Sequence, residues 1–337
     1  MMGPLRWAIA GFGWVARDHM APAIREAGDV LVAVADPDPA ARASAEALGA
    51  AAFESVEAML EQARPDALYV ATPNALHLAP VRAAAAAGVP VLCEKPMAAD
   101  LADAEAMGEA VRSTGVLWGA AFDQRHHPAH AALAQAIAAG DIGRPAAVRI
   151  AYGCWVDPRW RPPGATAEGN WRADPAAAGG GAVVDLAPHG LDLVQRLLGE
   201  PVEALHMQLQ RRVHDYAVED GGVVSGRTAS GVLVSLHVSY NTPEALGRRR
   251  LEVLGETGQL TATDTMGQTA GGALTRTCGR SGNAAPVPFD AAGSPFTAQA
   301  AAFAAAVRGE PHDFSLDRDL DLARRFDAAY REARACL

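Results

Sequence analysis

Along the first third of the chain, short apolar runs alternate with longer stretches in which apolar positions recur every three or four residues. LRWAIA (5–10), VLVAVAD (30–36), ALYVAT (67–72) and VPVLCE (89–94) are apolar at nearly every position, as strands covered on both faces are. Helical stretches separate them: GFGWVA running on to about Ala27, PDPAARASAEALG with Pro39 near its start and Gly49 at its end, SVEAMLEQA, and HLAPVRAAAAAG. Strands spaced by helices of this length predict parallel βαβ units with right-handed crossovers.

From about residue 120 the period changes. PAHAALAQAIAAG (128–140) predicts a helix ending at Gly140. RPAAVRIAYG (144–153), VEALHMQLQ, GGVVSGRTASGVLVSLHVSY and RRRLEVLGETGQL then form a strand-rich stretch. Within it GVLVSLHVSY reads as an antiparallel strand and SGRTASG as the turn feeding it. Residues 261–294 are poor in large apolar side chains and predict loops or weak strands. Two helices close the chain. One starts at the Ser294–Pro295 signal; the other follows Ser315 and places Leu316, Leu320, Ala323, Phe326 and Tyr330 along one face as core contacts.

At 337 residues, two domains are the natural expectation. A net charge of −10, with no basic run longer than Arg248–Arg249–Arg250, argues against nucleic acid and anionic membranes as partners. No uncharged apolar stretch reaches 18 residues, so no membrane span is expected. The mildly apolar start lacks a cationic leader and a small-residue cleavage site, and Arg17 and Asp18 interrupt it, so it reads as a buried strand. Cys93, Cys154, Cys278 and Cys336 are widely spread without a C-x-x-C pair. That fits a reduced, cytoplasmic protein better than a disulfide scaffold or zinc ribbon.

The turn after the first strand, G-F-G-W-V-A, puts Gly11, Gly13 and Ala16 at dinucleotide-binding positions, with Phe12, Trp14 and Val15 between and beside them. Gly11 permits a tight turn, Gly13 lets a pyrophosphate approach the backbone, and the helix N-terminus meets its charge. Glycines alone are a weak signal. Here they stand between strand and helix, and Asp36 ends the next strand, where a carboxylate can bind a ribose 2′-hydroxyl. A carboxylate there repels a 2′-phosphate, and the nearest arginine is Arg42; NAD is therefore the expected cofactor, with NADP still open.

ATPNALH (71–77) and CEKPMA (93–98) follow later strands, at the sheet edge where open α/β folds bind ligands. With the glycine turn, HPAHAAL (127–133) and GNWRADPAAAGGGAVVDLAPHGLDLVQRLLG (169–199), they make most of the chain resemble the Gfo/Idh/MocA oxidoreductases, which include sugar and inositol dehydrogenases. The resemblance implies an α/β fold: an NAD(P)-binding Rossmann domain over 1–122, and a C-terminal α+β domain over 123–337 with a large, mainly antiparallel open sheet. The terminal helices are free to pack back on the first domain. By matching position, Lys95 resembles the lysine beside the nicotinamide and the reacting hydroxyl, and Glu94 a cofactor contact. Pro96 resembles a proline often cis in relatives. Thr72, Pro73, Asn74 and His77 resemble the loop lining the adenosine–nicotinamide groove. Asp185 and His189 match the catalytic acid and histidine, and Asp192 a further acid that often reaches substrate. Relatives often form oligomers through the sheet, which implies a homodimer or homotetramer.

Taken alone, Asp185, His189 and Asp192 sit at helical spacing and are equally the solvated start of a helix. Chemistry agrees with the roles the resemblance implies. Oxidising a CH–OH group requires a hydride acceptor and a group to take the hydroxyl proton; a histidine suits the second task, and an acid one turn away can orient it. A lysine can hydrogen-bond the same oxygen and stabilise alkoxide character. Lys95 and His189 thus share the hydroxyl proton, with His189 favoured as base and Asp185 as its orienting acid. The expected substrate is a sugar, inositol or sugar derivative. Runners-up are an oxidoreductase that keeps its cofactor and shuttles hydride between two substrates, and a non-catalytic NAD-binding regulator.

The Pro/Gly-rich segment 154–172 carries three tryptophans together with Arg159, Arg161 and Arg172. Tryptophan faces stack on sugar rings and arginine binds oxygens; the plain alternative is a loop covering the core. Trp171 and Arg172 are favoured for substrate, because WR recurs there among relatives. Gln124, Arg125 and His126 are further cleft candidates, with Arg125 placed among the substrate residues. His126–His127 invites a metal reading, but adjacent residues rarely converge on one ion and no ligand spacing completes a site, so no metal is expected.

Overall fold

A computed structural model describes residues 3–161 and 170–337. Six parallel strands make the first sheet: β1 (Arg6–Ala10), β2 (Val30–Ala35), β3 (Ala51–Phe53), β4 (Ala67–Val70), β5 (Val91–Cys93) and β6 (Trp118–Ala120), in the order β3-β2-β1-β4-β5-β6. This is the doubly wound Rossmann arrangement, whose chain reverses direction between β1 and β4 and opens a crevice there. Side chains alternate across the sheet as the pleat requires. Trp7 and Ile9 point into one apolar layer, Ala8 and Ala10 into the other.

The second sheet has eight strands: β7 (Pro145–Gly153), β8 (Val202–Gln210), β9 (Gly221–Thr228), β10 (Leu233–Ser239), β11 (Arg249–Gly255), β12 (Gly258–Thr263), β13 (Ala273–Cys278) and β14 (Ala284–Pro286). Their order is β14-β13-β12-β11-β7-β10-β9-β8. Every pairing is antiparallel except β7 with β10, which run parallel. The expected turn at SGRTASG is displaced, because SGRT is the end of β9, paired with β10, and the turn follows it. One face of this sheet is buried and the other is open: in β10, Val234, Leu236 and Val238 are buried while Leu233, Ser235 and His237 are exposed.

The buried face carries the helix Ala182–Leu198, which is apolar nearly all round and buried along its length. Three glycines precede it, and each allows a contact with protein. A side chain at Gly179 would lie 2.2 Å from the Ala99 carbonyl oxygen, at Gly180 2.3 Å from the Tyr330 hydroxyl, and at Gly181 2.0 Å from the Glu219 carbonyl oxygen. These close approaches are to the protein's own backbone and core, not to a ligand. Buried Glu219 also caps the helix, its Oε1 accepting from Val183 N at 3.0 Å while Oε2 accepts from the Tyr330 hydroxyl at 2.7 Å.

The last two helices belong to both sheets. Phe296 and Phe303, on Pro295–Val307, complete the layer over β1, with the Phe303 ring 5.6 Å from Trp7. Leu316–Arg334 reaches the other layer through Leu320 and the second sheet through Tyr330. Asp319 accepts hydrogen bonds from Trp118 Nε1 and Ala120 N at the far edge of the first sheet. Among the described residues, no helix is long and apolar enough to cross a membrane.

Candidate active site

The loop after β1 turns tightly because Gly11 takes a φ of +83°, where an added Cβ would lie within 2.9 Å of the Ala71–Thr72 backbone. Gly13 faces open space. The following helix begins at Trp14 and contains a wide π turn over Ala16–Met20, a feature frequent at functional sites. Asp36, just past β2, accepts from Phe12 N at 2.7 Å and from Asp38 N at 2.8 Å, so it holds the glycine loop as well as the strand end. Arg42 lies beside it, but its guanidinium is taken by the Asp36 and Pro37 carbonyls and by Glu54.

A cavity of roughly 390 Å³ opens at the C-terminal edge of the parallel sheet and is closed on its far side by the second sheet. Trp14, Val15, Thr72, Asn74, Glu94, Lys95, Trp171, Arg172, Asp185 and His189, all expected from the sequence, line it. Lys95, in a cis Lys95–Pro96 linkage, reaches across it. Its Nζ donates to Asp185 Oδ1 at 2.5 Å and to the Asp185 carbonyl at 3.2 Å. Asp185 Oδ2 accepts from the Tyr240 hydroxyl at 2.6 Å and lies 4.0 Å from Arg172 Nε. Burial alone would raise the Asp185 carboxyl, but the charges of Lys95 and Arg172 and these hydrogen bonds outweigh it and hold the group below the usual carboxylate range.

Asp185 is therefore not the acid that orients His189. The carboxylate facing its ring is that of buried Asp123, whose Oδ1 lies 3.3 Å from His189 Nδ1. The two are close but not aligned as a formed hydrogen bond, so Nδ1 is left without a partner. Burial, reinforced by the charge of Lys95, pushes the His189 pKa well below the usual value, so the imidazole is neutral at physiological pH. Burial and the neighbouring Glu94 charge raise Asp123 to about 7. Glu94 is itself raised by burial and accepts a hydrogen bond from the Tyr69 hydroxyl.

Several expected residues lie elsewhere. Arg125 and Asp192 form a buried pair with N–O distances of 2.7 and 2.9 Å, and Arg125 also binds Asp313 at 2.6 Å. Neither lines the cavity, which corrects their placement with substrate: a fully paired, desolvated ion pair is a strut. His77 is likewise fully buried, held between the Met97 and Thr72 carbonyls, and shapes the loop from behind. Asn74 lines the cavity but donates its amide to the Ala178 carbonyl. Gln124 and His126 also miss the cavity. Gln124 is bound to Asp123 and the Gly267 carbonyl, and His126 stacks on Phe314.

Of the segment 154–172, Trp155, Trp160, Trp171 and Arg172 line the cavity, while Arg159 and Arg161 face water; residues 162–169 lie outside the described residues. The Arg172 guanidinium sits 4.6 Å from the Trp171 ring centre and 5.1 Å from that of Trp160. Asp123, Tyr152, Tyr240 and Arg249 had no signature in the sequence. Asp123 closes the apolar run that contains β6, and Tyr240 comes just after β10; an acid or a tyrosine near a strand end was the only available hint.

The residues present fit a dinucleotide. The glycine loop offers open backbone at Gly13, and Thr72 Oγ1, in the cavity wall beside it, is buried without a hydrogen-bond partner. Residues 5–122 match the family described as "Oxidoreductase family, NAD-binding Rossmann fold", and residues 130–261 match the GFO/IDH/MocA C-terminal domain. A 1,5-anhydro-D-fructose reductase of Ensifer adhaerens is 34% identical over 274 residues, 80% of this chain and 79% of that protein. A D-xylose 1-dehydrogenase (NADP(+)) of Haloferax volcanii is 29% identical over 98% of this chain and 97% of that one. The crystal structure of an aldose–aldose oxidoreductase from Caulobacter crescentus superposes with a TM-score of 0.86 at 25% identity, covering 99% and 98% of the two chains. Fold and relatives together define a nicotinamide-dependent oxidoreductase acting on CH–OH groups of sugars or polyols. The chain belongs to the GFO/IDH/MocA family.

Proposed function

We propose that the cavity interconverts a secondary alcohol or hemiacetal carbon of a sugar, inositol or sugar derivative with its carbonyl form. The observation that carries this is Lys95 of the cofactor-side loop meeting Asp185 of the facing helix in one cavity, with a neutral, buried His189 beside them. Bound nicotinamide supplies the hydride acceptor, or in reverse the donor. The loop of Gly11, Phe12 and Gly13, with Trp14, Val15, Asp36, Thr72, Pro73, Asn74, Glu94 and Lys95, would hold it.

His189, being neutral, accepts the hydroxyl proton. Lys95 donates a hydrogen bond to the same oxygen and stabilises its developing negative charge. Asp185 and Tyr240 aim the Lys95 ammonium. Trp155, Trp160 and Trp171 offer apolar faces to a ring, and Arg172 offers donors to its hydroxyls. NAD is the favoured cofactor, because a carboxylate just past β2, as Asp36 is, would repel a 2′-phosphate and Arg42 is already paired. The division at residue 122 into a cofactor and a substrate domain, a cytoplasmic location, and assembly into dimers or tetramers through the open face of the second sheet belong to the same reading.

A panel of sugars and inositols followed by NADH absorbance tests it. Lys95→Ala and His189→Ala are each expected to lower kcat by about 10²-fold or more. A variant that binds NAD and keeps near-wild-type kcat removes the corresponding role. The ratio of kcat/KM for NAD to that for NADP should exceed one and fall in Asp36→Ala; clear NADP preference in the wild type overturns the cofactor assignment.

A further inference from the structure

Four cationic side chains line the cavity: Lys95, Arg172, Arg248 and Arg249. Three are engaged. Lys95 is bound to Asp185. Arg172 lies 4.0 Å from the same carboxylate, between two tryptophan rings. Arg248 pairs with Glu244 at 3.3 Å. Arg249 has no carboxylate partner among the described residues. Its guanidinium stands 5.9 Å from the ring centre of Tyr152, its Nη1 packs against Gly267, and its Nε is buried without an acceptor.

Arg249 is half-buried; the tyrosine face attracts its charge, but its buried Nε–H still lacks an acceptor, which is costly. The position in the cavity matters as much. Tyr152 also neighbours His189, the two ring centres being 5.9 Å apart, so one tyrosine ring is shared by the proton acceptor and the cation without a carboxylate partner. A guanidinium presents a planar fork that matches two oxygens of a carboxylate or phosphate.

We propose that the substrate is an anionic sugar, whose carboxylate or phosphate oxygens are bound by Arg249 while the reacting carbon lies against Lys95 and His189. This rests on the reading of the cavity as the substrate site. Arg249 is then a specificity-determining residue, and the sugar hydroxyls between the two ends face the tryptophans and Arg172.

The test uses matched sets in several sugar series: the neutral aldose, its uronic acid and its 6-phosphate, each assayed for kcat/KM with NAD. At least one charged member should exceed its neutral counterpart by tenfold or more; the uronate and phosphate arms identify which oxyanion fits. R249Q should bring that ratio close to one, and R249K should restore part of it. A wild-type ratio near one overturns the proposal. So does a ratio left unaltered by R249Q, since a merely structural arginine would lower both members alike. Quenching of the cavity tryptophans by the same compounds reports binding without turnover. An anion that quenches the wild type but not R249Q, yet is not oxidised, supports Arg249 and removes the proposed activity. Turnover of neutral sugars with no anion preference keeps the activity and removes the proposal.

Discussion

Asp123 and Asp185 show how little a residue's identity says about its task until its partners are known. Lys95, Asp185 and His189 could be named from their segments, because EKP and D-x-x-x-H are specific patterns. Their pairing could not. Helical spacing suggested that Asp185 supports His189, yet Lys95 lies 90 positions away in sequence and claims that carboxylate, leaving the imidazole to Asp123. Attraction to a buried ammonium outweighs a weak contact along one helix face.

The Asp123 carboxyl, raised from 3.8 to about 7, is favoured in its neutral form by the fold. Its contribution to stability is full below pH 3.8, falls as pH rises, and is gone above about 7. The Tm of D123N should therefore match the wild type at low pH and exceed it increasingly up to a plateau above neutrality, as read by thermal denaturation across pH. Activity should move the other way. An ionised Asp123, 3.3 Å from His189 Nδ1, would stabilise the imidazolium formed when Nε2 takes a proton, so kcat/KM for oxidation should rise through about pH 7 in the wild type. D123N should lack that rise.

Among the elements, the central parallel strands β1, β2, β4 and β5 were the easiest to read, since both faces are covered and nearly every position is apolar, whereas the three-residue edge strands β3 and β6 carried no such run. Strand ends, and the turn placed at SGRTASG, were harder because a half-exposed edge carries polar residues inside the strand as well as beyond it. The triple glycine before Ala182–Leu198 marks a close approach, and what approaches is Ala99, Tyr330 and Glu219. Composition marks a close approach but not what approaches. Gly11→Ala would force a Cβ into the Ala71–Thr72 backbone at a positive φ. A loss of about 1–3 kcal/mol in unfolding free energy, read from denaturant titration, is expected, with weaker NAD binding in titration. Glu219→Ala would uncap the helix and strand the Tyr330 hydroxyl, at about 2–4 kcal/mol for two buried hydrogen bonds. Because Asp185 is in the first turn of that helix, kcat should fall as well.

For the whole molecule, the sequence declared two architectures in succession but not their interlocking. The parallel contact of β7 with β10 joins strands about eighty residues apart in the chain and encloses the catalytic helix in the loop between them. No local pattern encodes such a pairing. The closing helices showed an apolar face, and the resemblance allowed them to pack back on the first domain; both do so, and the last also joins the core of the second sheet through Tyr330.

Ribosomes deliver this chain N-terminus first, and the nucleotide-binding sheet waits for the last residues to emerge. Trp7, Ile9 and Tyr69 share their layer with Phe296 and Phe303, and Arg308 closes on Asp29 at 2.7 Å. Until some three hundred residues have been made, one face of the first-synthesised domain is bare apolar surface. A fragment ending at residue 122 should bind an apolar dye strongly and aggregate. The nascent protein should depend on holding chaperones during synthesis, whereas adding the segment 294–337 back to a chain truncated at 293 should restore a cooperative melt.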